Sequence, residues 1–174
     1  MEIIEKLEYC PKCGSRHFEK ESRKSRRCDN CGFEYFMNAS SANAAFIVNE
    51  RGELLVTRRN REPAKGMLDL PGGFADAGET AEEGVVREVK EETGLAVTSA
   101  QYLFSLPNVY HYGDVDIPTL DLFFRCEVDD LSVLQAADDA AECLWLRPED
   151  IHTEQFGLRS VRWALVKYLE MEKK

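Results

Sequence analysis

The sequence predicts an α/β protein in which a mixed sheet lies between helices, preceded by a small metal-binding domain. Segments of strand length are interspersed with two helical segments after residue 38, a pattern typical of an α/β domain. Four of the six cysteines lie before residue 32. Charge divides at the same place, because residues 1–37 carry 8 basic and 7 acidic residues whereas residues 38–174 carry 14 and 25. We therefore predict a small domain over 1–37 and a larger one over 38–174.

The composition excludes several classes of protein. The chain has 174 residues, of which 44% are hydrophobic, so it can bury a core and is neither disordered nor fibrous. No apolar run approaches the ~20 residues of a membrane span, so we expect a cytoplasmic protein with no membrane partner. The net charge of −10 should repel nucleic acid and other polyanions unless metal ions offset it.

Two C-x-x-C-G units characterise the small domain. They can bring four thiolates to one Zn²⁺ in a tetrahedral arrangement, and the glycine after each unit lets the backbone turn. Disulfides and a redox C-x-x-C are the alternatives, but a cytoplasmic location disfavours the first and the duplicated unit disfavours the second. The segment resembles a zinc ribbon, with a structural Zn²⁺ on Cys10, Cys13, Cys28 and Cys31.

The segment between the two cysteine units is basic. A solvated or docked loop is the favoured interpretation, and contact with nucleic acid is the less favoured alternative. Its basic residues and histidine are Arg16, His17, Lys20, Arg23, Lys24, Arg26 and Arg27.

The strands of the larger domain are predicted from short apolar runs bounded by turn residues. The second strand is expected to be the antiparallel return of the first, after a turn at Gly52. The predicted strands are Ser41–Asn49, Leu54–Arg58, Val97–Leu106, Thr119–Val128 and Glu142–Leu146.

Two helices are predicted in the larger domain. The first covers about Ala81–Thr93, because Thr80 and Glu83 form a capping box and Gly94 is placed to end the helix. The second covers Gly157–Glu170 and is expected to pack on the sheet. Its apolar residues are Leu158, Val161, Trp163, Leu165, Val166 and Leu169.

Three glutamates crowd one face of the first helix. Glu88, Glu91 and Glu92 stand at i, i+3 and i+4, where like charges destabilise a helix by roughly 0.2–0.5 kcal/mol per pair. The last two also lie at the negative end of the helix dipole. A divalent cation would reverse these unfavourable interactions, and carboxylate oxygens without histidine or cysteine indicate Mg²⁺ or Mn²⁺. A solvated acidic face is the alternative.

A glycine-rich segment, Pro71-Gly72-Gly73, leads into this helix. From Gly73 the chain continues with five residues, Glu79, seven residues and Arg87-Glu88-Val89-Lys90-Glu91-Glu92-Thr93-Gly94-Leu95. This resembles the Nudix box, G-x5-E-x7-R-E-U-x-E-E-x-G-U, with every defining position filled. The resemblance implies a Nudix α/β/α sandwich.

The resemblance also implies an activity and a set of roles. Nudix enzymes hydrolyse a nucleoside diphosphate linked to another moiety, with metal-activated water. Glu88, Glu91 and Glu92 would be the catalytic, metal-binding carboxylates, supported by the Gly73 carbonyl and Glu79. Arg87 would hold the glutamates by a salt bridge.

Other roles are more open. Arg58 and Arg59 are candidates for screening the charge of phosphate, and one of them is expected to be only a surface residue. The general base is expected either in the box, at Glu91, or on a later loop. The loop candidates are Asp138, Asp139 and Glu142, for which a solvated acidic turn is the alternative.

The substrate is a small-molecule nucleotide in this interpretation. A zinc ribbon before a Nudix domain resembles the NADH pyrophosphatases, which also decap NAD-bearing RNA and carry a signature S-Q-P-W-P-F-P-x-S. Here Ser105-Leu106-Pro107-Asn108-Val109-Tyr110 keeps only the Ser and the first Pro, so ADP-ribose-like, NADH and FAD substrates all stay open. Tyr110 and Tyr112 are candidates for stacking on a base. The alternative functions are a nucleotide-sensing or RNA-binding regulatory module and the decapping of NAD-capped RNA. The protein could form a homodimer, but the sequence does not define an interface.

Overall fold

A computed structural model of the protein describes residues 3–173. Met1, Glu2 and Lys174, which the predicted domain ranges include, lie outside the described residues. The chain divides into two compact units. The first comprises the residues up to Ser40 together with Val109–Pro118, and the second comprises Ser41–Asn108 and the residues from Thr119 onward. The sequence places Val109–Pro118 in the larger domain, whereas in space it clusters with the first unit, and the boundary at residue 37 stays a prediction.

The first unit is a three-stranded antiparallel sheet with a very small core. Its strands are β1 (Phe18–Lys20), β2 (Ser25–Cys28) and β3 (Glu34–Phe36), in that order. The buried side chains that cluster beneath them are those of Phe18, Cys10 and Cys28. A core of this size does not stabilise a domain by itself, so a bound metal is the expected source of its stability.

The second unit contains two sheets and two helices. A four-stranded sheet has the order β7-β4-β9-β8, and a three-stranded sheet has the order β10-β5-β6. The strands are β4 (Ser40–Phe46), β5 (Leu54–Arg59), β6 (Leu68–Asp69), β7 (Gly72–Phe74), β8 (Val97–Tyr112), β9 (Val115–Val128) and β10 (Ala140–Leu146). The helices are α1 (Ala81–Thr93) and α2 (Arg159–Glu172).

The strands lie between the two helices, as predicted. Ala44 and Phe46 of β4 pack in one cluster with Val161, Ala164 and Leu165 of α2. Ala45 and Ile47 pack in a second cluster with Val85 and Val89 of α1. Because successive side chains of a strand point to opposite faces, α1 and α2 cover opposite faces of β4. The α/β sandwich predicted from the sequence is therefore confirmed.

The capping signals of α1 are confirmed residue by residue. The Thr80 side chain accepts from the Glu83 backbone N–H, and the Glu83 side chain accepts from that of Thr80. Gly94 has φ +72° and its N–H bonds the Lys90 carbonyl, so the helix ends where the sequence predicts. The caps fix where the helix begins and ends, and the packing of Val85 and Val89 against the sheet fixes which side its glutamates face.

The strand predictions are partly wrong. Leu54 bridges Val48 at the turn, but β4 and β5 then diverge into different sheets, so the predicted hairpin holds only near its turn. β8 and β9 are longer than predicted, because the segment between the predicted strands continues both of them as a hairpin.

The final helix begins and ends two residues later than predicted. Trp163 and Val166 are each 48% exposed, so the expectation that they pack on the sheet is wrong. The inward face is set by Val161, Leu165 and Tyr168, and at 100° per residue positions 163 and 166 lie on the far side of the helix from it. No described helix is long and apolar enough to cross a membrane.

Candidate active site

Two adjacent glycines make close contacts in the edge strand β7, Gly72 with the backbone of β4 and Gly73 with Glu88 of α1. Gly73 pairs with Asn43 of β4, and Gly72 has φ +154°. A Cβ on Gly72 would lie 2.0 Å from the Asn43 carbonyl oxygen, and a Cβ on Gly73 would lie 2.5 Å from the Glu88 carboxyl carbon. Such contacts are impossible for a real side chain, so only glycine lets the Glu88 carboxylate rest against the strand.

Glu88 and Glu92 form the inner edge of the acidic helix face. The side chain of Glu88 is 14% exposed, and Glu92 as a whole residue is 7% exposed. The Gly72 backbone N–H donates to Glu92 Oε2 over 3.1 Å. The i, i+4 spacing therefore directs both carboxylates toward the glycine strand.

Arg87 connects Glu88 of the inner pair to the other two carboxylates, those of Glu79 and Glu91. Its Nη2 donates to Glu79 Oε1 over 2.7 Å, and its Nη1 donates to Glu88 Oε1 over 2.8 Å and to Glu91 Oε2 over 3.0 Å. It also donates to the Phe74 carbonyl oxygen. The prediction that Arg87 holds the glutamates by salt bridges is confirmed for Glu88 and Glu91, whereas Glu92 is held by the Gly72 amide instead.

The electrostatics of the cluster separate its outer and inner carboxylates. Hydrogen bonds from Arg87 lower the pKa of Glu79 to about 2. Burial raises the pKa of Glu92 to about 8, although the hydrogen bond from the Gly72 N–H acts in the opposite direction. The charge of nearby Asp69 adds to the increase. Burial likewise raises the pKa of Glu88 despite its bond to Arg87. The protein alone thus places too little positive charge beside Glu88 and Glu92 to offset the cost of burying their negative charges.

A divalent cation fits this donor set chemically. The carboxylate oxygens are hard ligands, and negative charge concentrated in a partly desolvated site is what Mg²⁺ or Mn²⁺ relieves. The glutamate oxygens do not all converge on one point, because Arg87 draws Glu88 and Glu91 to itself while the Gly72 amide holds Glu92. Within residues 3–173, the group whose ligand atoms all lie within 4.8 Å of one another is the four cysteines.

The acidic loop after β9 is attached to the C-terminal end of α1. The backbone N–H groups of Gln135 and Ala137 donate to the carbonyls of Thr93 and Glu92. These bonds satisfy carbonyls that a helix end leaves without partners, and they bring the loop beside the acidic face. Asp138 and Asp139 follow in the chain, and their charges contribute to the raised pKa values of Glu88 and Glu92 respectively.

Comparison with known families decides how this arrangement is classified. The sequence model of the NUDIX domain family matches residues 37–168, about three quarters of the chain. The chain belongs to the Nudix family. The glycine strand, the acidic helix and Arg87 are therefore its Nudix box in three dimensions.

Several curated proteins resemble this Nudix chain in sequence. An ADP-ribose pyrophosphatase from Methanocaldococcus jannaschii is 41% identical over 98 residues, covering 55% of each chain. A NAD-capped RNA hydrolase NudC from Deinococcus radiodurans is 29% identical over 147 residues, covering 83% of this chain and 50% of that protein. The chain spans about half the length of these relatives.

Solved structures show the same fold. The crystal structure of a NUDIX hydrolase from Nitrosomonas europaea has a TM-score of 0.75 at 22% identity and covers 94% of this chain and 90% of that one. The NUDIX domain of Shewanella oneidensis NrtR, solved with ADP ribose, has a TM-score of 0.61 at 19% identity and covers 80% and 91%. At this identity the likeness shows the Nudix fold alone.

The two arginines predicted to contact phosphate differ in their surroundings. Arg59 donates to Asp69 Oδ2 over 2.6 Å, and its side chain is 17% exposed. Arg58 is more exposed and donates to Glu142 Oε2 and to the Gly66 carbonyl oxygen. Arg59 is thus the structural member of the pair in this Nudix domain, and Arg58 stays the candidate for phosphate.

The two tyrosines predicted to stack on a base lie in the first compact unit. Tyr110 and Tyr112 belong to the segment Val109–Pro118, whereas the glutamates and Arg58 belong to the second unit. Tyr112 is exposed and Tyr110 is half-buried. Their role in binding substrate stays a prediction.

The four cysteines before the Nudix domain form a compact cluster. Cys10 Sγ lies 3.7 Å from Cys31 Sγ, and Cys13 Sγ lies 3.6 Å from Cys28 Sγ. A disulfide requires about 2.05 Å, whereas four sulfurs at ~2.3 Å from one Zn²⁺ would be separated by about 3.8 Å. The distances therefore fit a tetrahedral thiolate site.

The two halves of this cluster repeat the same local geometry. Gly14 and Gly32 both have φ +70°, and each donates its N–H to the carbonyl of the first cysteine of its unit over 2.8 Å. Hydrogen bonds from the Ser15 backbone and then from Asn30 lower the pKa of Cys13 to about 6. A backbone hydrogen bond from Phe33 acts to lower the pKa of Cys31, but burial and the neighbouring cysteines raise it to about 12. The sequence prediction of two equivalent turns is confirmed.

Sequence reasoning missed two buried polar residues around the Nudix box. Asp69 is 6% exposed and faces Arg59, and its charge acts on Glu92. Asn43 is 3% exposed and stands opposite Gly73. The sequence does contain a sign of Asn43, because it is the one polar residue in the apolar run Ala42-Asn43-Ala44-Ala45-Phe46. A single polar residue in such a run does not by itself indicate a functional site.

Proposed function

We propose that this Nudix protein hydrolyses the pyrophosphate bond of a small nucleoside diphosphate derivative of the ADP-ribose, NADH or FAD type. The observation that carries the proposal is the inner carboxylate pair, Glu88 and Glu92, packed against the glycine strand and connected to Glu79 and Glu91 through Arg87. A solvated acidic face would leave its carboxylates in water, whereas Glu92 is 7% exposed and the side chains of Glu88 and Glu79 are only 14% and 15% exposed.

The metal-binding residues of the proposed enzyme are Glu88, Glu91 and Glu92, with Glu79 and the Gly73 carbonyl in support. Bound Mg²⁺ or Mn²⁺ supplies charge neutralisation for the diphosphate and lowers the pKa of an attacking water. Arg87 orients the carboxylates, because it donates to three of them at once.

The general base of the proposed reaction is a carboxylate near the end of α1. Glu91 is the most exposed of the box glutamates that Arg87 binds. Asp138 and Asp139 lie on the loop attached to the helix end and pair with Arg61. Glu142 is held by Arg58 and is the least suited of these candidates. Replacing each by its amide and measuring both kcat and the Kd for Mn²⁺ separates them, because loss of the base lowers kcat about 10²–10⁴-fold at unchanged Kd, whereas loss of a metal ligand also raises Kd.

The first unit supports a small nucleotide rather than RNA as the substrate. Arg26 donates to the Phe18 and Ile4 carbonyls, Lys20 pairs with Glu5, and Arg16 stacks on Tyr9. Three of the six basic residues between the cysteine units therefore have partners inside the unit, which leaves Arg23, Lys24 and Arg27 as its exposed basic surface. The relatives are named for ADP-ribose and for NAD-capped RNA, and both substrates contain an adenosine diphosphate group.

A substrate screen tests this proposal. The protein is incubated with Mg²⁺ and, separately, with ADP-ribose, NADH, FAD and a NAD-capped RNA, and products are resolved by chromatography. We expect two monophosphates from at least one small compound, at a higher kcat/KM than for the capped RNA. Turnover of the RNA alone would contradict the small-molecule assignment. Absence of all turnover with tight RNA binding would favour a regulatory module.

We also propose that Cys10, Cys13, Cys28 and Cys31 bind one structural Zn²⁺. Four thiols arranged for a metal rather than for disulfides suit a reducing compartment, which supports a cytoplasmic location. The purified protein should contain about one zinc per chain, and a chelator should release it together with the folded structure of the first unit.

Zinc content by atomic absorption and amide hydrogen exchange measure this prediction. Exchange after chelation should accelerate in β1, β2 and β3 and stay slow in α2. Cys126→Ser is the matched control, because Cys126 is a buried core thiol outside the cluster and should leave the zinc content unchanged. A protein that keeps slow exchange in the first unit after losing its metal would contradict the structural role.

A further inference from the structure

Asn43 is a buried polar residue for which the fold provides no partner. It is 97% buried, and within residues 3–173 neither its Oδ1 nor its Nδ2 has a hydrogen-bond partner. The other buried asparagine, Asn108, is 5% exposed and donates to Asp121 Oδ2 over 3.0 Å. Leaving a buried polar group unpaired costs roughly 1–3 kcal/mol. An alanine, like its neighbours Ala42 and Ala44, would avoid that cost.

The Asn43 side chain points toward the acidic cluster. Residues opposite each other in a strand pair share a face, so Asn43 lies on the face of Gly73 that Glu88 covers. An independent position confirms this direction. A Cβ built on Gly84 of α1 would lie 2.4 Å from Asn43 Nδ2 and 2.9 Å from Glu79 Oε1. The amide therefore sits beneath α1, beside the Glu79 carboxylate.

The hydrogen bonds of Glu79 explain why the amide has no partner here. Glu79 Oε1 accepts from Arg87 Nη2 and from the Asp76 N–H, and Oε2 accepts from Arg87 Nε. Arg87 at the same time serves Glu88 and Glu91. A cation that binds the glutamates competes with Arg87 for their oxygens, so the network of donors must be redistributed.

We propose that Asn43 is a positioning residue of the Nudix carboxylates, whose Nδ2 donates to Glu79 when the divalent cation is bound. This inference rests on the metal-dependent function proposed above. It assigns the unpaired amide to the metal-bound arrangement, where a cation that draws the carboxylates away from Arg87 leaves a Glu79 oxygen open to a second donor. Residues that orient metal ligands typically change metal affinity 10- to 100-fold when removed.

Metal affinity and metal-free stability together test the inference. Mn²⁺ titration of the zinc-loaded protein by calorimetry gives Kd, and thermal unfolding in EDTA-free, Mn²⁺-free buffer gives Tm. We expect Asn43→Leu and Asn43→Ala to raise the Kd for Mn²⁺ by about 10- to 100-fold. The Tm of the metal-free Asn43→Leu protein should equal or exceed that of the wild type, because an unpaired polar group is removed. Asn43→Ser, which keeps a donor, should give an intermediate Kd.

A change on the opposite element gives an independent test. Gly84→Ala favours the helix by about 1 kcal/mol, but its Cβ would lie 2.4 Å from Nδ2 and 2.9 Å from Glu79 Oε1. It should therefore weaken Mn²⁺ binding in the wild type and weaken it no further in Asn43→Ala, where a displacement of Glu79 alone would still do so. Asn108→Ala is the matched control, since it removes a buried asparagine that does have a hydrogen-bond partner, Asp121. It should lower Tm while leaving Kd unchanged.

The outcomes separate this inference from the proposed function. Mn²⁺ Kd values within twofold of wild type in both Asn43 variants would overturn the positioning role alone. A parallel loss of Tm and affinity in Asn43→Ala and Asn43→Leu would also overturn it, by showing a structural role. A wild-type protein that does not bind Mn²⁺ would instead overturn the proposed metal-dependent function.

Discussion

Replacing Glu92 by glutamine is expected to remove at least 99% of the hydrolytic activity while the protein stays folded. The amide keeps the shape of the side chain and can still accept the Gly72 N–H, so the packing against β7 is retained. The negative charge that holds a cation is lost. Metal coordination contributes several kcal/mol of transition-state stabilisation, and each 1.36 kcal/mol corresponds to tenfold in rate.

The same variant should be more stable than the wild type in metal-free buffer at alkaline pH. Burial raises the pKa of Glu92 from 4.5 to about 8, so the folded state holds this proton more tightly than the unfolded chain. The stability linked to Glu92 is therefore fully present below about pH 4.5 and falls as the pH rises toward 8. Glutamine does not titrate and avoids this loss. Thermal unfolding at pH 5 and pH 9 measures the difference.

Glu82→Gln is the control for both measurements, because Glu82 is an exposed residue on the same helix. It should keep wild-type kcat and the wild-type dependence of Tm on pH. Glu88→Gln and Glu91→Gln complete the series, and zinc content should be unchanged in all of them. Near-wild-type turnover in both Glu91→Gln and Glu92→Gln would contradict the assignment of the box as the active site.

The sequence predicted the elements whose determinants are local. The capping box at Thr80 and Glu83, the end of α1 at Gly94 and the paired cysteine turns each depend on residues within a few positions of one another. The carboxylate face of α1 follows from helix periodicity alone. For these features the local physical preference and the tertiary structure agree.

The features that the sequence did not predict depend on contacts between distant segments. The divergence of β4 and β5 into two sheets is decided by β7, β9 and β10, which occur far along the chain. The burial of Glu92 depends on its approach to Gly72, and the position of Asn43 depends on the register of β4 with β7. Trp163 is exposed because of the way α2 is rotated about its axis. The apolar residues of α2 occur on more than one side of the helix, so they do not by themselves define which side faces the sheet.

Gly73→Ala is expected to reduce kcat by at least about 100-fold through displacement of Glu88. The new Cβ would lie 2.5 Å from the Glu88 carboxyl carbon and 2.6 Å from both carboxylate oxygens. Backbone strain is not the cause, because Gly73 is not among the glycines with a positive φ. The carboxylate must therefore move away from the strand, and a displacement of even 1 Å in a catalytic group costs about 10²-fold.

The contrast with Gly52→Ala distinguishes this contact from a general effect of losing a glycine. Gly52 has φ +77° and open space around its Cβ position, so alanine there is strained without touching anything. That strain costs roughly 1–2 kcal/mol of stability and should leave kcat unchanged. Gly73→Ala should show the opposite pattern, with kcat and Mn²⁺ affinity lost and Tm nearly retained. Equal kcat in Gly73→Ala and the wild type would mean that Glu88 does not act from its place against the glycine strand.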